Sequence, residues 1–381
     1  MNPIYLDHNA TTAPDPEVIE EMTACLRGTP GNPSSIHSFG QEARRTIEKA
    51  RVRAARLIGA QPEEIVFTSG GTEADNIAVL GAAVAAKRDR PHVLATAIEH
   101  QAVLNPCRQL ERSGGSATFL PVDRNGLLDP AEAVAAPRDD TVLASIMLAN
   151  NDVGAVQPVA AISPAMRERG VVFHTDAVQA VGKIPVDVRA LGVDLLSFSG
   201  HKIHGPQGTG ALYVRKGVAL SPRAFGGHQE RGVRPGTENV AAIAGFGKSC
   251  ELAAKRLEAD AAYLAALRSE FEAAVLRRVP GAAVNGEGAP RLPNTANIAF
   301  EGLEGEILAF NLDLLGVAVS TVAACSSADR EPSHVLIAMG RTPAQARSSV
   351  RFSFGRGNSR EDMLRAVDLV VQAVESMGGL R

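Results

Sequence analysis

The sequence predicts an α/β protein: a large domain with a mainly parallel sheet covered by helices, and a smaller α+β domain toward the C-terminus. Three observations lead to this class. Short apolar runs alternate with helix-like segments from residue 64 to residue 214, the pattern of strands buried on both faces. At 381 residues the chain is too long for one compact core, so two domains are expected. Polar and glycine-rich stretches fall directly after the strand-like runs, and ligands gather at the carboxyl ends of strands in open α/β sheets.

In chain order, Tyr5-Leu6-Asp7 is a short extended entry, and His8 to Thr12 form its polar, turn-forming end. Pro14-Asp15-Pro16 starts a helix through about Leu26, with Pro16 near its first turn. A loop, Gly31 to Ser35, precedes a long helix from Ser38 to Leu57, whose Arg44, Arg45, Glu48, Lys49, Arg51 and Arg53 read as a solvated face. Strands follow at Glu64–Ser69, His92–Ala97, Ala117–Val122, Thr141–Leu148 and Val171–His174. Helices lie between them at Thr72–Lys87, Gln101–Arg112, Pro130–Ala135 and Ser163–Arg169.

Two more strand-like runs, Val193–Phe198 and Gly210–Val214, flank Lys202. Helical patterning from Val240 to about Arg278 is long enough to link two domains. Beyond it come a strand (Thr295–Phe300), a helix (Glu304–Leu315), an extended Val317–Ser320 and a helix near Ser333–Met339. A strand (Ser349–Phe354) and an amphipathic helix (Arg360–Met377) close the pattern. The expected division is 15–255 for the large domain, with 1–14 and 256–381 forming the small one.

Composition narrows the function. Lys and Arg total 39 against 42 Asp and Glu, so there is no global electrostatic footprint for nucleic acid, and the lack of tryptophan leaves little for base stacking. Cys25, Cys107, Cys250 and Cys325 include no C-x-x-C pair, which fits neither a zinc site nor a disulfide framework and reads as a reducing, cytoplasmic setting. The first residues lack the features of a signal peptide, and no apolar run approaches the ~18 residues of a membrane span.

The chemistry gathers at strand ends. Thr68-Ser69-Gly70-Gly71-Thr72 is a strand end, a glycine pair and a helix start. Such a start can hold a phosphate, or it can be a plain helix capped by Ser69 or Thr72. Asp176 ends an apolar strand, where a carboxylate can keep a pyridine nitrogen protonated or can cap the next turn. His100, after another strand, suits stacking and proton transfer, or a structural hydrogen bond. Asn150-Asn151-Asp152 follow a fourth strand. With Lys202 in its tight turn, these groups together match a pyridoxal phosphate site better than four unrelated caps. Cys325 stands apart from the three helical cysteines, among small polar residues, as a candidate nucleophile. Arg351, a charge inside a strand-like run, reads as a carboxylate clamp or a structural ion pair.

Taken together, Tyr5-Leu6-Asp7 with Ala10-Thr11-Thr12, Gly31-Asn32-Pro33-Ser34-Ser35, Phe67 to Glu73, Glu99-His100 and Asn150-Asn151 resemble the NifS/IscS-type cysteine desulfurases. So do His174 to Gln179, Ser199-Gly200-His201-Lys202, Gly227-His228-Gln229-Glu230, Gly236 to Asn239, Cys325 and Pro332 to Leu336. That group lies within the class V aminotransferase-like, fold-type I pyridoxal phosphate enzymes, and the likeness runs nearly end to end. The resemblance implies Lys202 as the Schiff-base lysine, Asp176 as partner of the pyridine nitrogen, Gln179 at the ring oxygen and His100 stacked on the ring. Gly71, Thr72, Ser199 and His201 would bind the phosphate, and Thr237 would reach the phosphate of a neighbouring subunit, so a homodimer is implied. Asn151 and Arg351 would bind the carboxylate of L-cysteine. Cys325 would take the sulfur as a persulfide for an acceptor such as an iron–sulfur scaffold protein, and no metal is implied.

Two positions depart from the family pattern: Asp152 replaces the usual Glu, and Val322-Ala323 replace the usual Gly-Ser. A selenocysteine lyase or another class V lyase would share the lysine without needing Cys325. A weakly active sulfur-transfer scaffold is the reading from a different class.

Overall fold

The computed structural model describes residues 3–28, 30–321 and 331–378. Strand β1 (Ile4–Tyr5) leads through the polar turn to helices α1 (Pro16–Arg27) and α2 (Ser38–Leu57). Asp15 caps α1 by accepting from the Glu17 amide, and Pro16 occupies its first turn, where a missing N–H costs nothing. The alternating region follows: β2 (Ile65–Thr68), α3 (Gly71–Ala85), β3 (His92–Thr96), α4 (Gln101–Arg112), β4 (Ser116–Leu120), α5 (Pro130–Ala135), β5 (Thr141–Ser145), α6 (Val159–Glu168), β6 (Val172–Asp176), α7 (Val188–Leu191), β7 (Leu195–Ser199) and β8 (Gly210–Val214). The long α8 (Val240–Arg278) leads to β9 (Ala282–Val284), β10 (Thr295–Phe300), α9 (Gly305–Leu314), β11 (Val317–Ala318) and β12 (Ser320–Thr321). Helices α10 (His334–Ala338) and α11 (Pro343–Arg347), strand β13 (Ser349–Ser353) and helix α12 (Arg360–Ser376) complete the chain.

Seven strands form the main sheet in the order β2-β8-β7-β6-β5-β3-β4. Only β8 runs against the others, antiparallel to both β2 and β7. The carboxyl ends of β2, β3, β5, β6 and β7 therefore open on one edge. A four-stranded antiparallel sheet, β12-β13-β10-β9, lies beyond α8, and β1 pairs in parallel with β11. The entry strand thus joins the C-terminal part of the fold, tied further by the Ser353 amide donating to the Leu6 carbonyl at 2.7 Å.

Two large cores form on these sheets. Leu94, Ala144, Ile146, Phe173, Leu196 and Phe198 fill one, and Leu6, Phe271, Phe300, Phe352 and Phe354 fill the other. Helix α8 serves both, sending Phe246 into the first and Phe271 into the second, about 37 Å further along its axis. Each buried phenylalanine stabilises its core by roughly 2–3 kcal/mol.

Three short elements, α7, β9 and α11, lie where the sequence suggested none. Helix α6 begins four residues earlier than expected, and Pro164 sits inside it. The proline forfeits one backbone bond, which the burial of Ile162 and Met166 on the core side offsets. Arg51 corrects the solvated-face expectation for α2: it is 6% exposed. Its Nη1 and Nη2 each donate to Glu230 at 2.8 Å, and its guanidinium lies 4.7 Å from the centre of the Phe67 ring.

Candidate active site

The shared strand edge holds a cavity of about 230 Å³. Gly71, Thr72, His100, Asn151, Asp176, Gln179, Ser199, His201 and Lys202, all expected site residues, line it together with Asp75 and the apolar Met147, Ala149 and Val178.

Lys202 ends a single 3₁₀ turn, Gly200–Lys202, that follows β7 directly. A Cβ at Gly200 would lie 2.8 Å from Thr209 Oγ1, so the turn can close only without one. The lysine Nζ donates to the carbonyls of Asn9 at 2.5 Å and Ala10 at 2.6 Å. Burial pushes its pKa down to about 8; Arg351 adds to that, while Asp7 and Asp176 oppose it. His201 beside it is pushed to about 4 by burial and by Lys202 and Lys183, so its imidazole is neutral at neutral pH.

At the other side, α3 begins at Gly71 with Gly70 as its cap, at φ 153° and with no side chain on the first amides. Neither Ser69 nor Thr72 caps the helix. Its N-terminal N–H groups and dipole are left for an anion, with Thr72 and Ser199 beside them. Gly71 also matters sterically, since a Cβ there would lie 2.6 Å from Val178 Cγ2, the side chain that walls the cavity.

Asp176 caps the next turn, its Oδ1 accepting from the Val178 amide at 2.9 Å, and its carboxyl also lines the cavity. Burial raises its pKa, opposed by His100 and Lys202. Asp75 is buried behind it and is raised well above the ordinary range by burial and by Asp176. His174 is neutral, pushed to about 3 by burial, and is held by the hydroxyls of Ser145 at 2.8 Å and Ser197 at 3.0 Å. His100 caps α4, its Nδ1 accepting from the Ala102 amide at 3.1 Å, which leaves Nε2 for the cavity.

The Gln179 amide is oriented by its neighbours. Lys183 Nζ donates to its Oε1 at 2.5 Å, and its Nε2 donates to the Asn9 carbonyl at 2.9 Å. The Asn9 carbonyl only accepts, so Nε2 must face it and Oε1 must face Lys183. The second Nε2 hydrogen remains for the cavity.

Asn151 lines the cavity; Arg351 is not part of its lining and adjoins it through Asn151. Arg351 Nη1 donates to the Asn151 carbonyl at 3.1 Å, and Nη2 pairs with Asp7 at 2.8 Å. The Arg351 Nε is buried with no partner. Thr237 lies outside this cavity, exposed in the stretch before α8. Cys325 and the Val322-Ala323 departure fall outside the described residues. Cys107 and Cys250 are buried, and burial pushes the Cys107 thiol to about 12.

Sequence reasoning missed Asp7, Asn9, Asp75, Glu99 and Lys183 as members of this assembly. Glu99 is fully buried, its pKa pushed to about 8 by burial, and Lys183 is held well below the ordinary lysine range by burial. A lone lysine in the apolar stretch Ala180-Val181-Gly182-Lys183-Ile184 was the available signal.

The fold and cavity set the Lys202 amine opposite an open helix start, the arrangement of an α/β enzyme site. The chain belongs to the aminotransferase class-V family, whose model matches residues 4–365. It is 47% identical over 374 residues to the cysteine desulfurase IscS of Dictyoglomus turgidum, covering 98% of this chain and 95% of that protein. It is 45% identical to the putative cysteine desulfurase IscS 1 of Bacillus subtilis, covering 99% of this chain and 100% of that one. Among solved structures, a NifS-like protein matches with a TM-score of 0.92 at 36% identity, over 98% of this chain and 100% of the other. SspA in complex with cysteine matches with a TM-score of 0.82 at 35% identity, over 92% and 98% of the two chains.

Proposed function

We propose that this protein is a pyridoxal phosphate-dependent cysteine desulfurase that works as a homodimer and passes sulfur to an acceptor protein. One observation carries the reading: Lys202, with its pKa near 8, shares a cavity with an uncapped helix start and a buried carboxylate. The residues fit the cofactor. Gly71, Thr72, Ser199 and His201 would hold its phosphate, Asp176 its pyridine nitrogen, Gln179 its ring oxygen, and Met147, Ala149 and Val178 offer apolar wall to a flat ring. When bound, the cofactor supplies an electron sink for charge developing on the substrate.

The chain's own groups do the rest. Lys202 would hold the cofactor through its amine. His100, free at Nε2, moves protons beside the ring. Asn151 and the unpartnered Nε of Arg351 take the substrate carboxylate. Cys325 attacks the substrate sulfur; the carbon–sulfur bond breaks as a sulfur–sulfur bond forms, leaving alanine and a persulfide. Thr237, exposed in one chain, suits a contact made across a dimer. Residues 15–255 would form the cofactor-binding domain, with 1–14 and 256–381 as the second.

The test is release of alanine and sulfide from L-cysteine by the loaded protein in the presence of a thiol reductant. Replacing Cys325 with Ala is expected to abolish both while cofactor binding persists. Desulfuration that survives that change would replace this mechanism with a lyase reaction independent of Cys325.

A further inference from the structure

Asp152 belongs to no part of the reaction described above, yet both of its carboxylate oxygens are committed at the substrate corner. It is 6% exposed. Oδ1 accepts from Asn151 Nδ2 at 2.6 Å, and Oδ2 accepts from the Ser333 hydroxyl at 3.0 Å. Its backbone is fixed from two sides, the amide donating to Asn150 Oδ1 at 2.8 Å and the carbonyl accepting from Asn297 Nδ2 at 3.2 Å. A side chain held at so many points is not free to follow its neighbours; they follow it.

The obvious role would be counter-ion to the buried Arg351. Distances argue against it. Asp152 Oδ1 stands 3.6 Å from Arg351 Nη1, whereas Asp7 meets Nη2 at 2.8 Å. The short bonds of Asp152 go to Asn151 and Ser333, so its direct hold is on the amide and not on the guanidinium. A carboxylate accepts only, so the Asn151 side chain must turn Nδ2 toward Asp152. That leaves its Oδ1 and one Nδ2 hydrogen for a ligand. Arg351 Nη1 bonds the carbonyl of the same Asn151, so the amide and the unpartnered Arg351 Nε are set relative to each other.

We infer that Asp152 is a positioning residue: it orients the Asn151 amide against Arg351, so that the two together fit an α-carboxylate, and it is itself anchored by Ser333. The inference rests on the proposed reading of Asn151 and Arg351 as the substrate-carboxylate site. Shared action makes a specific pattern of effects, because residues that work as a unit are not additive. Removing Asp152 removes the benefit of Asn151 as well.

The experiment is a double-mutant cycle on the loaded protein. It reads KM and kcat for L-cysteine and, by calorimetry, the dissociation constant for L-alanine. Asp152→Ala and Asn151→Ala are each expected to raise KM and weaken L-alanine binding about tenfold, with kcat and cofactor affinity changed much less. The double variant is expected to match the single ones. Asp152→Asn keeps an acceptor for Asn151 Nδ2 without the charge and should lose only about threefold. Ser333→Ala, which frees one oxygen, should lose a similar amount. These two variants keep the buried volume nearly full and carry the same cycle should the alanine variant fold poorly. Additive losses, near a hundredfold in the double variant, would overturn the inference, as would an Asn variant as damaged as the Ala one. A wild-type protein that makes no alanine from cysteine overturns the functional reading instead; one that does so with an additive cycle overturns this inference alone.

Discussion

Lys202 offers the sharpest prediction because its proton decides whether it can act. Burial lowers its pKa from the ordinary 10.5 to about 8, with Arg351 pushing the same way. At pH 7 the neutral amine would be about 3 in 10,000 at the ordinary value and about a tenth at pKa 8, a gain of roughly 300-fold. The apoprotein should therefore capture pyridoxal phosphate at neutral pH, with a rate that rises through pH 8 and then levels. Borohydride trapping followed by peptide mass mapping reads the rate and the site together, and free N-acetyl-lysine gives the reference profile.

The sign can be checked with a second variant. Asp7 raises the Lys202 pKa and pairs with Arg351 at 2.8 Å. Asp7→Asn removes an anion near the lysine and leaves Arg351 less compensated, and both changes move the midpoint down. A wild-type midpoint at or above pH 10, or an upward move in Asp7→Asn, would refute the reasoning. The same depression also means that the folded protein binds fewer protons than the unfolded chain between pH 8 and 10.5. This group's contribution to stability therefore rises with pH across that window.

Glu230→Ala should be strongly destabilising. It strands the buried Arg51 guanidinium, about 3–5 kcal/mol, and frees the Phe67 amide that now donates to Glu230 at 2.8 Å, about 1–3 kcal/mol more. With an unfolding entropy of roughly 0.8 kcal/mol/K for 381 residues, the melting temperature should fall by about 5 °C or more, measured calorimetrically; a fall under about 1 °C would sink the assignment. Gly71→Ala places a Cβ 2.6 Å from Val178 Cγ2 and should weaken cofactor binding about tenfold in an equilibrium dialysis assay. Adding Val178→Ala should restore most of that affinity, and no recovery would show that the contact is not what limits binding.

The parts of the site legible in the sequence are those whose signal is local. An apolar run that stops at Asp176, a glycine pair ahead of Thr72 and a lysine in a tight turn after a strand each announce themselves within a few residues. Because the strands point one way, these separate ends had to meet along one edge. The charge pattern of α2 could not reveal which arginine would turn inward. Arg51 is buried only because Glu230 arrives 179 residues later, and nothing near Arg51 in the chain signals that partner. Short β9 and α11 were missed for a related reason: a strand of three residues and a helix of five carry too few positions for any period to show.

Asn9 shows why such long-range contacts matter to the chemistry. Its amide donates to Ser353 Oγ, and its carbonyl accepts from Lys202 and Gln179. Its Nδ2 donates to the Asn151 carbonyl and to Thr295 Oγ1, and its Oδ1 accepts from Lys183 and Asn294. Every hydrogen and every lone pair of the residue is used. Its partners include Thr295 of β10 and Ser353 of β13, so these strands cannot shift against the main sheet without breaking bonds at the residue that holds Lys202. Leaving even one of these buried groups unpaired costs about 1–3 kcal/mol, comparable to the free-energy difference that sets the Lys202 amine at about a tenth neutral at pH 7. The packing of the second core is thereby part of what sets the position of Lys202, although among the described residues none of that core lines the cavity.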